Sequence, residues 1–512
     1  MFDVNALVPH HARYAPLAPA VACGDETLTW RDFHVRVGRS ANLLRAHGVR
    51  HGDRVALLLD NCRELLELLW SVPALGAATV PFSPLLMPAG LRTLLRDAGA
   101  SCLVTERRLM PVVETLRTDD PDLMRGITVF VIDGPCPGTV DYAAATAEAS
   151  PEFDAQPVDG RTMFNLIYSS GTTGLPKGIM LSHDVRALYG VAFSSQFRIT
   201  PQSRVLHAGA VIFNGAFVML MAAFYTGASY TLHRKFDAEA AIETIARERI
   251  THMTVVPAQI LAMLASPAFT PDKLASLDVF LTLGAPLMAE HKVRLNDLLP
   301  GRFHELYGLT EGFFTILDRV DAVRKLGSVG VPPPHTAVRV LRPDGTPAAP
   351  GEVGEIVGRS PMLMTGYHGR PDLTAQAVRD GWMHSGDLGY VDEDGYLFLV
   401  DRQKDMIDSG GVKVYPRDIE EIAARHPAVR EVAVFGVPHD KWGETPVAAV
   451  ILRTAGAVTA DELKEWINAR VEARYQRLAQ VMLLAEFPRS AAGKTLKREL
   501  RAPFWAGRDA KI

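Results

Sequence analysis

The sequence predicts an α/β protein, with a large N-terminal region of parallel sheets, helices and a small β unit, and a small α+β C-terminal domain. Three observations predict it. Strand, helix and strand signals alternate through the first hundred residues at the spacing of parallel βαβ units. A stretch rich in charge and glycine, Val400 to Pro416, breaks the pattern. After it, short helix and strand signals alternate again on a smaller scale. At 512 residues the chain can hold more than one domain and a large core.

Taken in order, Gly24 to Trp30 reads as a short hairpin strand, and Arg31 to His47 as an amphipathic helix with Phe33, Val37, Leu43 and Leu44 on one side. Gly52 to Leu59 is a turn and a buried strand, Asn61 to Leu75 a helix, Gly76 to Pro81 the next strand. A helix near Ala89–Ala98 and strands at Ser101–Val104 and Ile127–Ile132 repeat the unit. Asp133 to Arg161, rich in Pro, Gly, Ala and acids, predicts a surface excursion. Met163 to Tyr168 is an apolar strand leading into a glycine- and hydroxyl-rich loop. Ala208 to Tyr225 is nearly all apolar; its length suits a membrane span, but Gly209, Asn214 and Gly215 interrupt it and the pattern favours a buried helix. Thr251–Pro257 and Val279–Leu283 read as strands, Ala258–Leu264 as a helix. Gly327 to Trp382 predicts a small antiparallel β unit. Beyond the boundary come helix Pro416–His426, strands Val429–Gly436 and Val447–Leu452, helix Ala460–Arg474 and strand Val481–Leu484.

Composition narrows the function. Hydrophobic residues make up 48% and charged residues 22%, ordinary values for a globular protein. A net charge of −4 gives no nucleic-acid surface, so anionic substrates must meet local charge. Cys23, Cys62, Cys102 and Cys136 are too scattered for a disulfide framework or a zinc site and suit a reducing cytoplasm. The N-terminus carries no signal-peptide pattern, and Ala-Lys-Ile at the C-terminus only faintly resembles a peroxisomal address.

The chemistry concentrates in Tyr168-Ser169-Ser170-Gly171-Thr172-Thr173-Gly174-Leu-Pro176-Lys177-Gly178. Glycines let the backbone approach an anion with its N–H groups inward, the Ser and Thr hydroxyls can donate to phosphate oxygens, and Lys177 adds a point charge. A Walker loop needs a Gly-Lys-Ser/Thr end, which Gly174-Leu-Pro-Lys lacks. The stretch resembles instead the phosphate loop of AMP-forming acyl-CoA synthetases and related adenylating enzymes, [ST]-[ST]-G-[ST]-T-G-x-P-K-G, throughout. Further stretches carry the same resemblance: Gly284-Ala285-Pro286, Glu305-Leu-Tyr307-Gly308-Leu-Thr310-Glu311, Ser385-Gly386-Asp387, Arg402-Gln-Lys404, Ser409-Gly410-Gly411, and Pro488 to Leu500 with its Gly493-Lys494. Together they cover about Trp30 to Leu500.

The resemblance implies that the chain adenylates a carboxylic acid with ATP and Mg²⁺ and passes the acyl group to coenzyme A. It makes residues 1–402 the adenylation domain, and residues 403–512 a mobile lid that swings at Lys404. It also implies a role for each matching residue. Gly284, Ala285 and Pro286 lie against adenine, with Glu305, Tyr307 and Gly308 beside the nucleotide; Thr310 faces a phosphate, and Glu311 with Thr172 the metal. Asp387 holds ribose, and Arg402 is a ribose or phosphate ligand. Ser409, Gly410 and Gly411 flank the pantetheine, and Lys494 is the adenylation lysine. Residues Phe213, Asn214, Gly215, Phe217, Thr282, Gly284, Gly308 and Phe313 line the acyl pocket, with Asn214 where the family commonly has histidine. The pocket segments hold no Asp, Lys or Arg, so an uncharged hydrophobic tail is expected. Their glycines suggest depth, which favours a medium- or long-chain fatty acid over a benzoate- or cinnamate-like one; loading of a carrier protein is the other alternative. No nucleic acid and no membrane are expected as partners, and a homodimer is compatible with the resemblance.

Overall fold

The computed structural model describes residues 3–169, 177–402, 405–409, 412–439, 442–471, 473–489 and 495–506. Two eight-stranded sheets dominate it. In one, Ala78–Phe82, Arg54–Leu58, Cys102–Thr105 and Thr128–Val131 run parallel, and Met163–Ser169 joins beside Ala78–Phe82. In the other, Ser229–Leu232, Arg204–His207, His252–Val255, Val279–Leu283 and Phe303–Gly308 run parallel in that order. Parallel strands need helical crossovers, which cover both faces and explain why Ala78–Phe82 is buried at every position. The hairpin Pro19–Cys23 and Glu26–Thr29 closes the edge of the second sheet, Val21 pairing with Tyr230.

Local chemistry sets the elements. Helix Trp30–Ala46 starts at a capping box in which Thr29 and Asp32 satisfy each other's backbone N–H groups. Helix Ala216–Thr226 is stopped by Gly227 at φ +83°. Phe224 on that helix stacks on Trp70 at 4.6 Å and meets Trp30 edge-on at 5.2 Å, so the helix is a core element between the sheets. One continuous hydrophobic core contains Leu57, Phe164 and Ile179 of the first sheet and Val205, Tyr230 and Leu281 of the second. Among the described residues, no helix is long and apolar enough to cross a membrane.

An antiparallel unit follows: Ala337–Leu341, Gly354–Arg359, Trp382–Val391 and Leu397–Arg402. It continues twenty residues past the expected end. The small C-terminal domain has its own sheet, built on Val429–His439 paired with Gly443–Leu452, and its own hydrophobic clusters. The chain is thus mixed α/β, with a large N-terminal sheet domain and a small C-terminal one.

Three expectations change. Asp133–Arg161 is not all surface excursion: helix Tyr142–Glu148, capped by Asp141, returns to the core, and the Tyr142 hydroxyl donates to Ser40 at 2.8 Å. In the run Ala208–Tyr225 the helix begins only at Ala216, because Asn61 holds the preceding turn through Gly209 O and Val211 N–H. Helix Ala460–Asn468 ends short of Arg474, where Asn468 bonds both backbone groups of Leu478 and turns the chain back. Helices Met110–Asp119 and Pro121–Arg125 are additional.

Candidate functional site

In open α/β sheets, ligands gather beyond the carboxyl ends of the parallel strands. Three sequence motifs sit at such ends. Met163–Ser169 runs into residues 170–176, Val279–Leu283 into Gly284-Ala285-Pro286, and Phe303–Gly308 into Leu309–Glu311. The chain returns as strand Lys177–Ser182, antiparallel to Met163–Ser169.

Two polar clusters form there. The Tyr307 hydroxyl donates to Asp387 Oδ2 at 2.8 Å, and Arg402 Nε lies 3.3 Å from Asp387 Oδ1. Tyr307 and Arg402, 95 positions apart, therefore converge on the Asp387 carboxylate. Asp387 lies inside strand Trp382–Val391, where the pairing with Gly354–Arg359 shifts register and Gly386 takes φ +67°, and the Ser385 hydroxyl accepts the Asp387 N–H at 3.0 Å. Burial, and then the neighbouring Asp387 charge, push the Tyr307 phenol up. In the second cluster the Tyr367 hydroxyl donates to Glu311 at 2.9 Å, and Lys177 Nζ stands 5.0 Å from the Tyr367 ring centre. Tyr367 reaches this place because Gly366–Tyr367 pairs with Met180 and Ile179 at the sheet edge. Thr310 is half-buried beside Glu311, and Ser409 is buried at the end of strand Ile407–Ser409. Among the described residues no cluster of three or more His, Cys, Asp or Glu side chains could hold a metal.

The predicted positions Ser170, Gly171, Thr172, Thr173, Gly174, Lys404, Gly410, Gly411 and Lys494, with the side chain of Ser169, lie outside the described residues. Gly284 and Pro286 are exposed at the strand end, with Ala285 half-buried between them.

Several predicted side chains are placed differently. The Glu305 carboxylate faces Lys292 in a buried ion pair, so it does not face a nucleotide. Burial pushes the Glu305 carboxyl up, and Lys292 opposes that shift. Phe313 is fully buried and packs its ring flat on Gly358, and Phe217 is equally enclosed. Thr282 is buried, with its hydroxyl unpartnered. The glycines do not leave the expected depth. A Cβ on Gly215 would meet Leu283 Cδ1 at 2.7 Å, on Gly308 Phe314 Cβ at 2.7 Å, and on Gly312 the Met362 carbonyl oxygen at 2.1 Å. These glycines permit close packing. Only at Gly284 is the nearest atom, Val256 Cγ1, at an ordinary 3.8 Å.

Sequence reasoning missed four residues: Lys292, Tyr367, Tyr189 and Arg186. Half-buried Asn214 donates through Nδ2 to the Tyr189 hydroxyl at 3.1 Å. Behind them lies Arg186, fully buried, its guanidinium 4.0 Å from the Phe217 ring centre and 4.9 Å from that of Tyr189. Its Nε and Nη2 both donate to Asn165 Oδ1, at 3.2 and 3.0 Å. Burial pushes Arg186 down to about 10, with Tyr189 acting the other way. The pocket segments hold no cation, as expected, yet one stands directly behind Phe217. The only signal was an arginine inside the apolar helix His183–Phe197.

Residues 8–368 match the AMP-binding enzyme family, and residues 418–494 match the AMP-binding enzyme C-terminal domain. The chain belongs to this family, the AMP-forming acyl-CoA synthetase superfamily. It is an enzyme of the AMP-forming carboxylic acid–CoA ligase class. A feruloyl-CoA synthase of Amycolatopsis sp is 37% identical over 501 residues, 96% of this chain and 97% of that one. The long-chain-fatty-acid–CoA ligase FadD13 of Mycobacterium tuberculosis is 32% identical, over 94% of each chain. ATP-bound MatB from Rhodopseudomonas palustris, 28% identical, superposes with a TM-score of 0.90 over 98% of this chain and 99% of that chain. The apo form of the same protein, with the same identity and coverage, gives 0.78.

Proposed function

We propose that this chain joins an aryl carboxylic acid to coenzyme A in two steps. A carboxylate oxygen attacks the α-phosphorus of ATP, the bond to the β-phosphate breaks, and pyrophosphate leaves. The thiolate of coenzyme A then attacks the acyl carbon, and AMP leaves with the oxygen that joined it to the acyl group. Negative charge builds at phosphorus in the first step. The phosphate-loop donors, Lys177 and Lys494 are the groups suited to meet it. Mg²⁺, bound at Glu311 and Thr172, would neutralise phosphate charge. Asp387 takes the ribose hydroxyls, with Arg402 and Tyr307 fixing its orientation. Gly284-Ala285-Pro286 lies against adenine. Residues 403–512 act as the lid, turning at Lys404 to exchange Lys494 for the Ser409-Gly410-Gly411 segment at the reacting carbon. The four free cysteines suit a reducing cytoplasm.

One observation carries the choice of an aryl acid over the fatty acid that the glycines first suggested. Gly215, Gly308 and Gly312 are closed by neighbours, so they open no channel for a long chain. The ring that holds Asn214, Tyr189, continues into an aromatic cluster: it packs edge-on against Phe193 at 5.0 Å, and Phe193 lies 4.8 Å from Phe314. The half-buried Asn214 amide gives a ring substituent a hydrogen-bond partner. The relative named for a feruloyl substrate agrees with this choice; FadD13 keeps the fatty acid as the second reading. The test is kcat/KM for coumarate, benzoate, octanoate and palmitate, with dicarboxylates as controls. Coumarate or benzoate should be best. A preference rising with chain length, up to ~0.8 kcal/mol per methylene, would restore the fatty-acid reading.

A further inference from the structure

A fully buried arginine stands on the acyl side, and neither of the two chemical steps above uses it. Arg186 lies on helix His183–Phe197, which packs along helix Ala216–Thr226. The two helices touch at Gly190, where a Cβ would meet Tyr225 Cβ at 2.9 Å and the Met221 carbonyl oxygen at 3.3 Å. Arg186, Tyr189, Gly190 and Phe193 recur at helical spacing, so they share the face that makes this contact. The guanidinium meets only neutral groups. Its Nε and Nη2 grip Asn165 Oδ1, the Phe217 ring lies at 4.0 Å and the Tyr189 ring at 4.9 Å. Asn165 has to present its oxygen, because a guanidinium only donates.

Among the described residues no carboxylate pairs with Arg186, and its Nη1 has no hydrogen-bond partner. A buried charge in this state is a poor source of stability, since an apolar side chain of similar volume would fill the space at lower cost. Its contacts lead instead to Asn214. The Tyr189 hydroxyl accepts from Asn214 Nδ2 at 3.1 Å, and Phe217 follows Asn214 by three residues. That leaves Asn214 Oδ1 buried, with no partner among the described residues. A buried carbonyl oxygen without a donor is costly, and a donor on the acid would satisfy it.

We propose that Arg186 is a positioning residue of the acyl side. Held by Asn165, it braces Tyr189 and Phe217, so that Asn214 keeps its amide nitrogen on Tyr189 and its oxygen free for the acid. The acid so selected carries a hydrogen-bond donor on its ring, a phenol or an aryl amine, rather than an acceptor alone. Arg186 itself touches no substrate. This inference rests on the aryl-ligase reading above and names the substituent.

The test uses the full chain as wild type, Arg186→Met, Arg186→Lys, Tyr189→Phe and the Arg186→Met/Tyr189→Phe double variant. For each, kcat and KM are measured for ATP, coumarate, the methyl ether of coumarate, cinnamate and palmitate. Wild type should prefer coumarate to its methyl ether and to cinnamate by about three- to tenfold, the scale of one neutral hydrogen bond. Arg186→Met should abolish that preference through KM for the acid, with KM for ATP held within about twofold. Arg186→Lys keeps the charge beside Phe217 and should recover most of the preference. Tyr189→Phe should lose it too, and the double variant should lose no more, because both residues act on the same amide. Arg186→Gln, which can still donate to Asn165, should behave as Arg186→Met does and carries the test if that variant does not fold. A coumarate preference that survives the loss of the charge, or a rise in KM for ATP equal to that for the acid, overturns the inference while leaving the aryl-ligase reading intact. So does a methyl ether used as well as coumarate. Wild-type protein that prefers palmitate overturns both.

Discussion

The nucleotide side and the acyl side of the candidate site are built on different principles. On the first, Tyr307, Asp387 and Arg402 meet at one carboxylate, and Lys177, Tyr367 and Glu311 meet around one ring. Polar groups converge there, as the proposed function requires of a side that takes phosphates and ribose. On the second, Asn214, Tyr189 and Arg186 form a line that recedes into the core, and aromatic rings fill the space beside it. The nucleotide side takes the same ligand in every adenylating enzyme, so short motifs can record it. The acyl side is shaped by whatever packs behind it, and no motif records that.

Substitutions should divide along the same line. The largest effect belongs to Lys494→Ala. It should cost ~10²–10³-fold in acyl-AMP formation, as for removal of one charge-stabilising donor, while supplied acyl-AMP is still converted to thioester. Comparable loss in both assays would show that the lysine serves more than one pose. Next comes Asp387→Ala, which removes the acceptor shared by Tyr307 and Arg402. A rise in KM for ATP of roughly tenfold or more is expected, with selectivity among acids unchanged. A change in acid preference would mean that the two sides are not separable.

Asn214→Ala should act the other way round, raising KM for a hydroxylated aryl acid by about three- to tenfold and leaving KM for ATP alone, the scale of one neutral hydrogen bond. If coumarate and cinnamate respond alike, Asn214 does not read the ring substituent. The smallest effect is on pH dependence. The Asp401 carboxyl titrates higher in the folded protein, at about 6, than when unfolded. The folded state therefore holds more protons between about pH 4 and 6, and this contribution is lost as pH rises through that window. Asp401→Asn should flatten the fall in Tm across the same range. Parallel Tm curves for the two proteins would remove Asp401 as the source.

The same contrast explains what was legible in the sequence. Strands such as Arg54–Leu58 and Val279–Leu283 could be read because buried parallel strands are continuous apolar runs with turn residues at their ends. The nucleotide motifs could be read because their residues are contiguous. Helix Tyr142–Glu148 could not, since Tyr142 finds its partners Ser40 and Glu67 on distant helices. Nor could the role of Gly215 and Gly312. A glycine that opens a pocket and one that admits a neighbour look the same until the neighbour is known. Nor could the pairing of Glu305 on its strand be read, since its partner Lys292 lies on helix Ala289–Leu298, in no motif.

The edge pairing of the second sheet has a consequence for how the chain is made. Val21 leaves the ribosome 209 residues before Tyr230 on its partner strand. At ~5–20 residues per second the hairpin Pro19–Thr29 waits roughly ten to forty seconds for the edge it must join. During that time Leu28 and Val21, buried in the finished protein, have only water or a chaperone beside them.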